Sequence, residues 1–383
     1  MVDAFTARDE AAGPSRRRAL RRAVGAGLAL AFGTTAQAAA PRPALRRGVN
    51  LTHWFDYARN RGVSPEEMQE LARSGFDHVR LPFDPVVLGW RDAAMPDLRG
   101  LRAGAERAIA AGLDVVIDLH MVHETKVAIE QAPRLEDGLV ALWSHVASAF
   151  ADLPPAHVAF ELYNEPQYYG WRERRWPALQ RRLLAAVRGH AFRHLVLLTG
   201  ARGGSADGLM ALPPDGDPWV AYTFHFYLPY LFTHQGMDWL DERHTTAGLW
   251  TGIGYPASAA VDAEPRLKKP HRRAHRELQA YRDERWGPER IAGEFTAVAA
   301  WARRHGVTVV CNEFGVVRAG VAPAARYRWI GDVRQALEQA GFGWTVWDYA
   351  DIFGIAVDTG GADGLPRRLE PAARVALGLR AAP

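Results

Sequence analysis

The chain is poor in cysteine and in long apolar runs. Of its 383 residues, Cys311 is the single cysteine, so an internal disulfide is excluded. Cys311 lies in an apolar run, where a small buried side chain is the simpler interpretation than a catalytic thiol. No run is long enough for a membrane helix, so we expect no stable membrane insertion.

The chain also lacks a large excess of one charge. Residues 1–38 hold six Arg and three acidic residues, which leaves 41 basic and 40 acidic residues in the remainder. That remainder lacks the basic excess that is typical of nucleic-acid-binding proteins, so we expect no nucleic-acid partner. A neutral polymer is the more natural partner.

The N-terminal region has the pattern of an export signal. A basic stretch from Ser15 to Arg21 precedes an apolar stretch from Ala23 to Ala36, and Ala36-Gln37-Ala38 is a small-x-small site. The order Ser-Arg-Arg-x-x-Leu-Arg resembles a twin-arginine signal. We therefore predict a signal peptide over residues 1–38, cleaved after Ala38, and a periplasmic or secreted protein. A basic N-terminal tail is the alternative.

Strand-like runs alternate with amphipathic helical stretches after about residue 45. Runs rich in Val, Ile, Leu and Phe predict eight strands, near 47–51, 77–81, 113–119, 157–163, 194–199, 219–226, 307–313 and 342–348. Ser64-Pro65-Glu66-Glu67 has the order of a helix N-terminus, and Gly75 is the expected end of that helix. Further helices are predicted at Leu98 to Ala111, Leu135 to Phe150, Pro177 to Gly189 and Ala324 to Ala340.

Eight βα units in one chain predict an α/β protein with a single (β/α)8 barrel over residues 39–383. An open doubly wound sheet is the alternative, but no Gly-rich phosphate motif follows the first strand. The segment from Leu228 to Pro270 breaks the alternation and is rich in Trp, Tyr, Gly and Pro. A loop of that length is usually functional, and we expect it to shape the wall of a site.

Two apolar runs each end in Asn-Glu followed by a turn residue. One run leads into Asn164-Glu165-Pro166, and the other leads into Asn312-Glu313-Phe314-Gly315. Because chemistry in such barrels lies at the C-terminal ends of the strands, we expect both carboxylates at the mouth of a site. Two carboxylates are the minimum for cleaving a glycosidic bond, with one as acid/base and one as nucleophile.

Other polar or aromatic residues also fall at predicted strand ends. They are Arg80, His120, Asn164, His225, Tyr227 and Trp347. Taken singly, each has a structural interpretation: Arg80 as an ion-pair partner, His120 as a core histidine, and Trp347 as a core aromatic. Glu161 has the same parity as Glu165, and we interpret it as a structural partner of a basic residue.

A metal-dependent hydrolase that uses His120, His123 and His225 is a further alternative. Such barrels usually carry His-x-His on the first strand, whereas this strand ends in Asn50-Leu51-Thr52-His53.

In order along the chain, these motifs resemble family 5 of the glycoside hydrolases (cellulase family A). The resemblance runs from Arg47-Gly48-Val49-Asn50 to Trp347-Asp348-Tyr349 and includes Val79-Arg80-Leu81-Pro82, Asp118-Leu119-His120, Asn164-Glu165-Pro166, His225-Phe226-Tyr227 and Asn312-Glu313-Phe314-Gly315. It implies a retaining enzyme that needs no metal or cofactor, with Glu165 as acid/base and Glu313 as nucleophile.

The resemblance also implies roles for the neighbouring side chains. Arg80 and Tyr227 would lie beside Glu313, and Asn164 would bind the sugar 2-hydroxyl. His120 and His225 would line the site, and Trp347 would floor the subsite on the non-reducing side. We further expect Arg80 to lower the pKa of Glu313, and the charge of Glu313 to raise the pKa of Glu165.

The expected substrate is a β-1,4-glucan cut at internal bonds by a monomeric enzyme. A mannan, a xyloglucan and an exopolysaccharide are alternatives within the same family. A non-catalytic polysaccharide-binding barrel is an alternative from another class, although this chain keeps both carboxylates. Sugar rings stack on aromatic side chains, and the candidate platforms are Trp54, Phe55, Trp90, Trp171, Trp250 and Trp347. Of the tryptophans, we predict Trp54 and Trp347 as substrate-binding residues.

Overall fold

The computed structural model describes residues 42–57, 62–91, 94–242, 244–258, 264–360 and 366–381. The predicted signal peptide and its cleavage site lie outside these residues and stay predictions. Within the described ranges, no helix is both long enough and apolar enough to cross a membrane.

Eight parallel strands close into a barrel. They are Arg47–Asn50, His78–Phe83, Asp114–Leu119, Val158–Glu161, Leu195–Thr199, Val220–His225, Val309–Phe314 and Gly343–Val346. The first strand pairs in parallel with both the second and the eighth, which closes the ring. Nearly all strand residues are buried, because one face fills the barrel and the other packs under helices. The predicted (β/α)8 barrel is confirmed.

Helices connect the strands along the outside of the barrel. The longer ones are Pro65–Ser74, Arg99–Ala110, His123–Gln131, Glu136–Phe150, Trp176–Arg188, Arg272–Asp283, Pro288–His305 and Pro323–Gln339, and shorter ones are Ala206–Met210, Tyr230–Thr233 and Pro371–Ala376. The first helix begins at the predicted N-cap Ser64, which forms a capping box with Glu67, and it ends at Gly75 with a φ of 104°. That left-handed conformation suits glycine, which has no Cβ.

The segment after the sixth strand has its own small structure. It contains the helix Tyr230–Thr233, a 3₁₀ turn at Ala247–Leu249, and an antiparallel pair of short strands, Trp250–Thr251 and Arg266–Leu267. A second antiparallel pair, Ala356–Asp358 with Arg367–Leu369, follows the last barrel strand.

Strand register brings polar residues side by side inside the barrel. Asn50 pairs with Arg80, Asp118 with Glu161, and His225 with Glu313. The fourth strand ends at Glu161, earlier than the predicted 163, whereas Glu313 lies within the seventh strand. Glu165 is therefore carried by the connection beyond its strand, and Glu313 by the barrel itself.

Candidate active site

Arg80 is the centre of the polar cluster inside the barrel. It is fully buried and donates to Glu161 through Nε and Nη2, at 2.7 and 2.9 Å. Its Nη1 donates to Glu313 Oε1 at 2.7 Å and to Asn50 Oδ1 at 2.9 Å. Its Nη2 also donates to Asn164 Oδ1 at 2.9 Å. The guanidinium therefore fixes the two Asn-Glu segments relative to each other.

The charges around Arg80 are mainly negative. Asp118 Oδ2 lies 3.0 Å from Arg80 Nη2, next to the contacts with Glu161 and Glu313. Burial lowers the pKa of Arg80, but the charges of Asp118, Glu161 and Glu313 raise it well above its ordinary value. Glu161 is also bound by Asn312 Nδ2 at 2.5 Å. Glu161 thus has the structural role that its parity predicts.

Glu313 is held at both carboxylate oxygens. Arg80 donates to Oε1, and the hydroxyl of Tyr227 donates to Oε2 at 2.9 Å. Burial and the charge of Glu313 raise the pKa of Tyr227 well above its ordinary value, so the phenol keeps its proton and remains a donor. The side chain of Glu313 is 5% exposed.

Glu165 lies on the turn that follows the fourth strand. Its backbone has a φ of 48°, a left-handed conformation that a residue other than glycine adopts at a cost of about 1–3 kcal/mol. Its Oε1 lies 2.9 Å from His225 Nδ1, and its side chain is 32% exposed. A carboxylate oxygen of Glu165, a carboxylate oxygen of Glu313 and a ring nitrogen of His225 all lie within 4.8 Å of one another.

His225 lies between the two carboxylates. Its Nδ1 is 2.9 Å from Glu165 Oε1 and 3.3 Å from Glu313 Oε2. Burial lowers the pKa of His225, but the charge of Glu313 and the hydrogen bond to Glu165 raise it above its ordinary value.

The same imidazole strongly affects the pKa of Glu165. Burial raises that pKa, but the hydrogen bond and the positive charge of His225 outweigh it and lower the pKa to about 2. The expectation of a raised pKa for Glu165 is therefore wrong for this arrangement. The reason is that the imidazole of His225 lies 2.9 Å from Glu165, and the charge of Lys126 lowers the pKa further.

His120, Asn164 and Trp347 form one wall of the site. Burial lowers the pKa of His120 to about 3, so the ring is neutral. Its Nδ1 lies 2.9 Å from Asp118 Oδ2, and its Nε2 lies 3.1 Å from Asn164 Nδ2. A neutral ring can donate from Nδ1 and accept at Nε2. Trp347 stacks on the imidazole with ring centres 5.4 Å apart and planes 17° apart.

Trp54 does not reach the site, so its predicted role in substrate binding is wrong. It is buried, stacks on Phe55 with ring centres 4.6 Å apart, and lies under the guanidinium of Arg107 at 5.4 Å. A Cβ on Gly104 would lie 3.3 Å from the indole. Trp54 therefore packs against the helix Arg99–Ala110, outside the barrel. Phe55 and Trp250 are buried as well, whereas Trp171 is 66% exposed.

The histidines of the metal-dependent alternative do not form a cluster. Among the described residues, the group with the spacing of metal ligands consists of Glu165, His225 and Glu313. His123 begins the helix His123–Gln131 and is exposed.

Several residues of the site were not foreseen from the sequence. Asp118 and Asn312 could have been found, because Asp118 has the parity of His120 and Asn312 precedes Glu313 as Asn164 precedes Glu165. Lys126 and Glu130, which contact the turn of Glu165, lie in a helix and carry no such signal.

The fold and this arrangement define a class: a barrel with two facing carboxylates at the C-terminal ends of its strands, as glycosidic cleavage requires. The chain matches the family described as Cellulase (glycosyl hydrolase family 5) over residues 43–351. It belongs to that family, and hence to the O-glycosyl hydrolases of endoglucanase-like type.

The chain is similar to several known proteins. Endoglucanase 3 of Fibrobacter succinogenes is 25% identical over 356 residues, which cover 85% of this chain and 52% of that protein. This chain thus spans about half the length of that relative. Endoglucanase C of Acetivibrio thermocellus is 24% identical, over 79% of this chain and 91% of that protein. The structure of Thermotoga maritima Cel5A in complex with mannotriose has a TM-score of 0.69 at 21% identity, covering 87% of this chain and 97% of the other.

Proposed function

We propose that the protein is a retaining glycoside hydrolase that cuts internal β-1,4 bonds of a glucan. The observation that carries the proposal is the closeness of the two carboxylates, which have oxygens within 4.8 Å of each other. Retaining glycosidases place these groups about 5–5.5 Å apart, whereas inverting enzymes need roughly 6.5–9.5 Å to admit a water molecule. The separation therefore favours retention.

Glu313 is the proposed nucleophile. Arg80 and Tyr227 each bind one of its oxygens, which orients the carboxylate toward the sugar. In the first step, a Glu313 oxygen bonds to the anomeric carbon while the bond from that carbon to the leaving oxygen breaks. Glu165 gives a proton to the leaving oxygen, so the products are a glycosyl ester on Glu313 and the free end of the cleaved chain.

Glu165 is the proposed acid and then base. In the second step its carboxylate takes a proton from water, and the water oxygen attacks the anomeric carbon. The ester bond breaks and Glu313 is released as a carboxylate. Since the pKa of Glu165 is about 2 beside His225, we propose that the Glu165–His225 pair holds the first proton together.

The remaining predicted residues have proposed roles in binding the sugar. Asn164 lies between Arg80 and His120, with its carbonyl oxygen on the first and its amide on the second. It is proposed to bind the 2-hydroxyl next to the reacting carbon. The Trp347 ring, held against His120, is the proposed floor of the subsite on the non-reducing side.

A polymeric substrate is supported by the surface next to Glu165. A cavity of about 330 Å³ adjoins Glu165 and His225, with Tyr169 and Tyr230 in its lining. These tyrosines are about half exposed, at 51% and 48%, and flat aromatic faces suit sugar rings. Export with cleavage after Ala38, and action as a monomer, are also proposed.

The decisive experiment is a panel of polysaccharides with sizing of the products. Carboxymethylcellulose or mixed-linkage β-glucan is expected to be cut into fragments of intermediate length, whereas mannan and xyloglucan are cut more slowly. Proton NMR of the first product should show the β-anomer. Faster cleavage of mannan, release of short ends alone, or an α-anomer would overturn the corresponding part of the proposal.

A further inference from the structure

The turn that carries Glu165 packs against the helix His123–Gln131. Two charged residues of the helix His123–Gln131, Lys126 and Glu130, are buried and lie four positions apart, on one face of the helix. Lys126 Nζ lies 3.4 Å from the carbonyl oxygen of Asn164 and 3.5 Å from that of Glu165. Glu130 Oε1 accepts the backbone N–H of Gln167 at 2.6 Å.

These contacts satisfy most main-chain polar groups of the turn. The side chain of Gln167 donates from Nε2 to the carbonyl oxygen of Glu165 at 3.1 Å. The N–H of Gly203 donates to the carbonyl oxygen of Pro166 at 2.8 Å. The N–H of Asn164 donates to the carbonyl oxygen of Leu119 at 2.9 Å. Each of these partners limits the freedom of the turn to move.

The strain at Glu165 explains why such support is needed. A residue with a φ of 48° relaxes to an ordinary conformation unless its surroundings prevent it. Relaxation would move the carboxyl away from His225 and from the reacting bond. Burying two ionisable side chains is costly by itself, and burial raises the pKa of Glu130 to about 7. The position of Lys126 and Glu130 is therefore better explained by a task than by core packing.

We propose that Lys126 and Glu130 are positioning residues that clamp the Asn164–Gln167 turn and aim the carboxyl of Glu165 at the leaving oxygen. Lys126 binds the two carbonyls at the start of the turn, and Glu130 binds the amide at its end. This inference rests on the proposed role of Glu165 as acid/base.

The test compares two aryl β-cellobiosides that differ in the leaving group. A 2,4-dinitrophenyl group leaves without a proton, whereas a phenyl group needs one from Glu165. Lys126→Met and Glu130→Leu remove the two clamps. Each is expected to lower kcat/KM for the phenyl substrate about tenfold more than for the dinitrophenyl substrate. Glu130→Gln keeps an oxygen acceptor for the Gln167 amide and is expected to restore most of the wild-type ratio.

Two controls separate positioning from a loss of stability. Lys269→Met changes an exposed lysine that pairs with Glu242, and it should leave the ratio unchanged. If Lys126→Met does not fold, as judged by circular dichroism, Gln167→Ala removes a contact of the same turn without removing a buried charge. Gln167→Ala should also lower kcat/KM more for the phenyl substrate than for the dinitrophenyl substrate, but by less than tenfold.

The outcomes also separate this inference from the proposed function. Equal losses on both substrates, or a lower melting temperature with a wild-type ratio, would show that the two residues are merely structural. Glu165→Ala must itself affect the phenyl substrate selectively. If it does not, the acid/base role of Glu165 fails. If it does while the clamp variants do not, only the clamp fails.

Discussion

The two facing glutamates are held in different ways. Glu313 belongs to the barrel strand Val309–Phe314, its side chain is 5% exposed, and Arg80 and Tyr227 bind both of its oxygens. Glu165 lies on a turn with a φ of 48°, and its side chain is 32% exposed. In the proposed mechanism, the first keeps one position throughout, whereas the second must release and accept a proton near solvent. The barrel thus supports Glu313, the fixed carboxylate, and the connection beyond the fourth strand supports Glu165, the carboxylate that exchanges a proton.

The difference extends to the groups that surround each carboxylate. Glu313 shares Arg80 with Asp118 and Glu161, so three carboxylates depend on one buried cation. Removing that shared cation would leave three buried carboxylates without compensation, which is costly. Glu165 depends instead on His225 and on the clamp residues Lys126 and Glu130. Substitutions should therefore affect the two sides differently.

The largest expected effect is the loss of activity when Glu313, the fixed carboxylate, is replaced. Glu313→Gln keeps the shape of the side chain but removes the nucleophile, and kcat on carboxymethylcellulose should fall on the order of 10⁴-fold or more. The melting temperature is expected to stay near that of the wild type. Initial rates and a thermal melt of the same preparation measure both. Substantial remaining activity in a folded variant would remove Glu313 as the nucleophile.

A substitution of Arg80, which binds Glu313, should affect stability. Arg80→Met leaves three buried carboxylates without their cation, and the free energy of unfolding should fall by about 3–5 kcal/mol. The matched control is Arg99→Met, because Arg99 pairs with Asp97 while its side chain is 91% exposed. Denaturant titration of both variants provides the comparison. Similar midpoints for the two would contradict the central role of Arg80.

The smallest expected effect is a shift in the pH dependence of kcat/KM when His225, the partner of Glu165, is replaced. In the wild type, the proton of the Glu165–His225 pair is lost only above the ordinary pKa of histidine, about 6.5, because the pKa of His225 is raised. In His225→Asn, Glu165 alone must hold that proton. Its ordinary pKa of about 4.3, which burial raises, starts roughly two units below that of histidine. The basic limb of kcat/KM against pH should therefore move to lower pH, by about one unit or more.

A control distinguishes this shift from a general loss. His190→Asn changes a histidine that is exposed after the helix Trp176–Arg188, and its pH profile should match the wild type. An unmoved basic limb in His225→Asn would show that the pair does not hold the catalytic proton jointly.

Much of the fold could be predicted because strands and helices leave local patterns. The run of apolar residues before Glu313 and the N-cap Ser64 with Gly75 each have a local cause, and the structure shows the expected elements. The parity of Glu161 likewise placed its side chain inside the barrel, opposite Arg80.

Other features could not be predicted, since they depend on distances between remote segments. Trp54 was expected at the site, but the chain turns after Asn50 so that the indole packs under Arg107. The pKa of Glu165 was expected to rise, but His225 from another strand lies 2.9 Å away and lowers it. Lys126 and Glu130 became relevant only when their helix was placed beside the turn.

The sequence by itself therefore determined the barrel and placed two glutamates near the C-terminal ends of their strands, because hydrophobic period and turn residues act over a few neighbours. Only the tertiary structure decided that one imidazole lies between those glutamates, that one arginine serves three carboxylates, and that a helix supports the strained turn. Charges interact through space, and closure of the barrel brings together groups that lie more than two hundred residues apart, as Arg80 and Glu313 do.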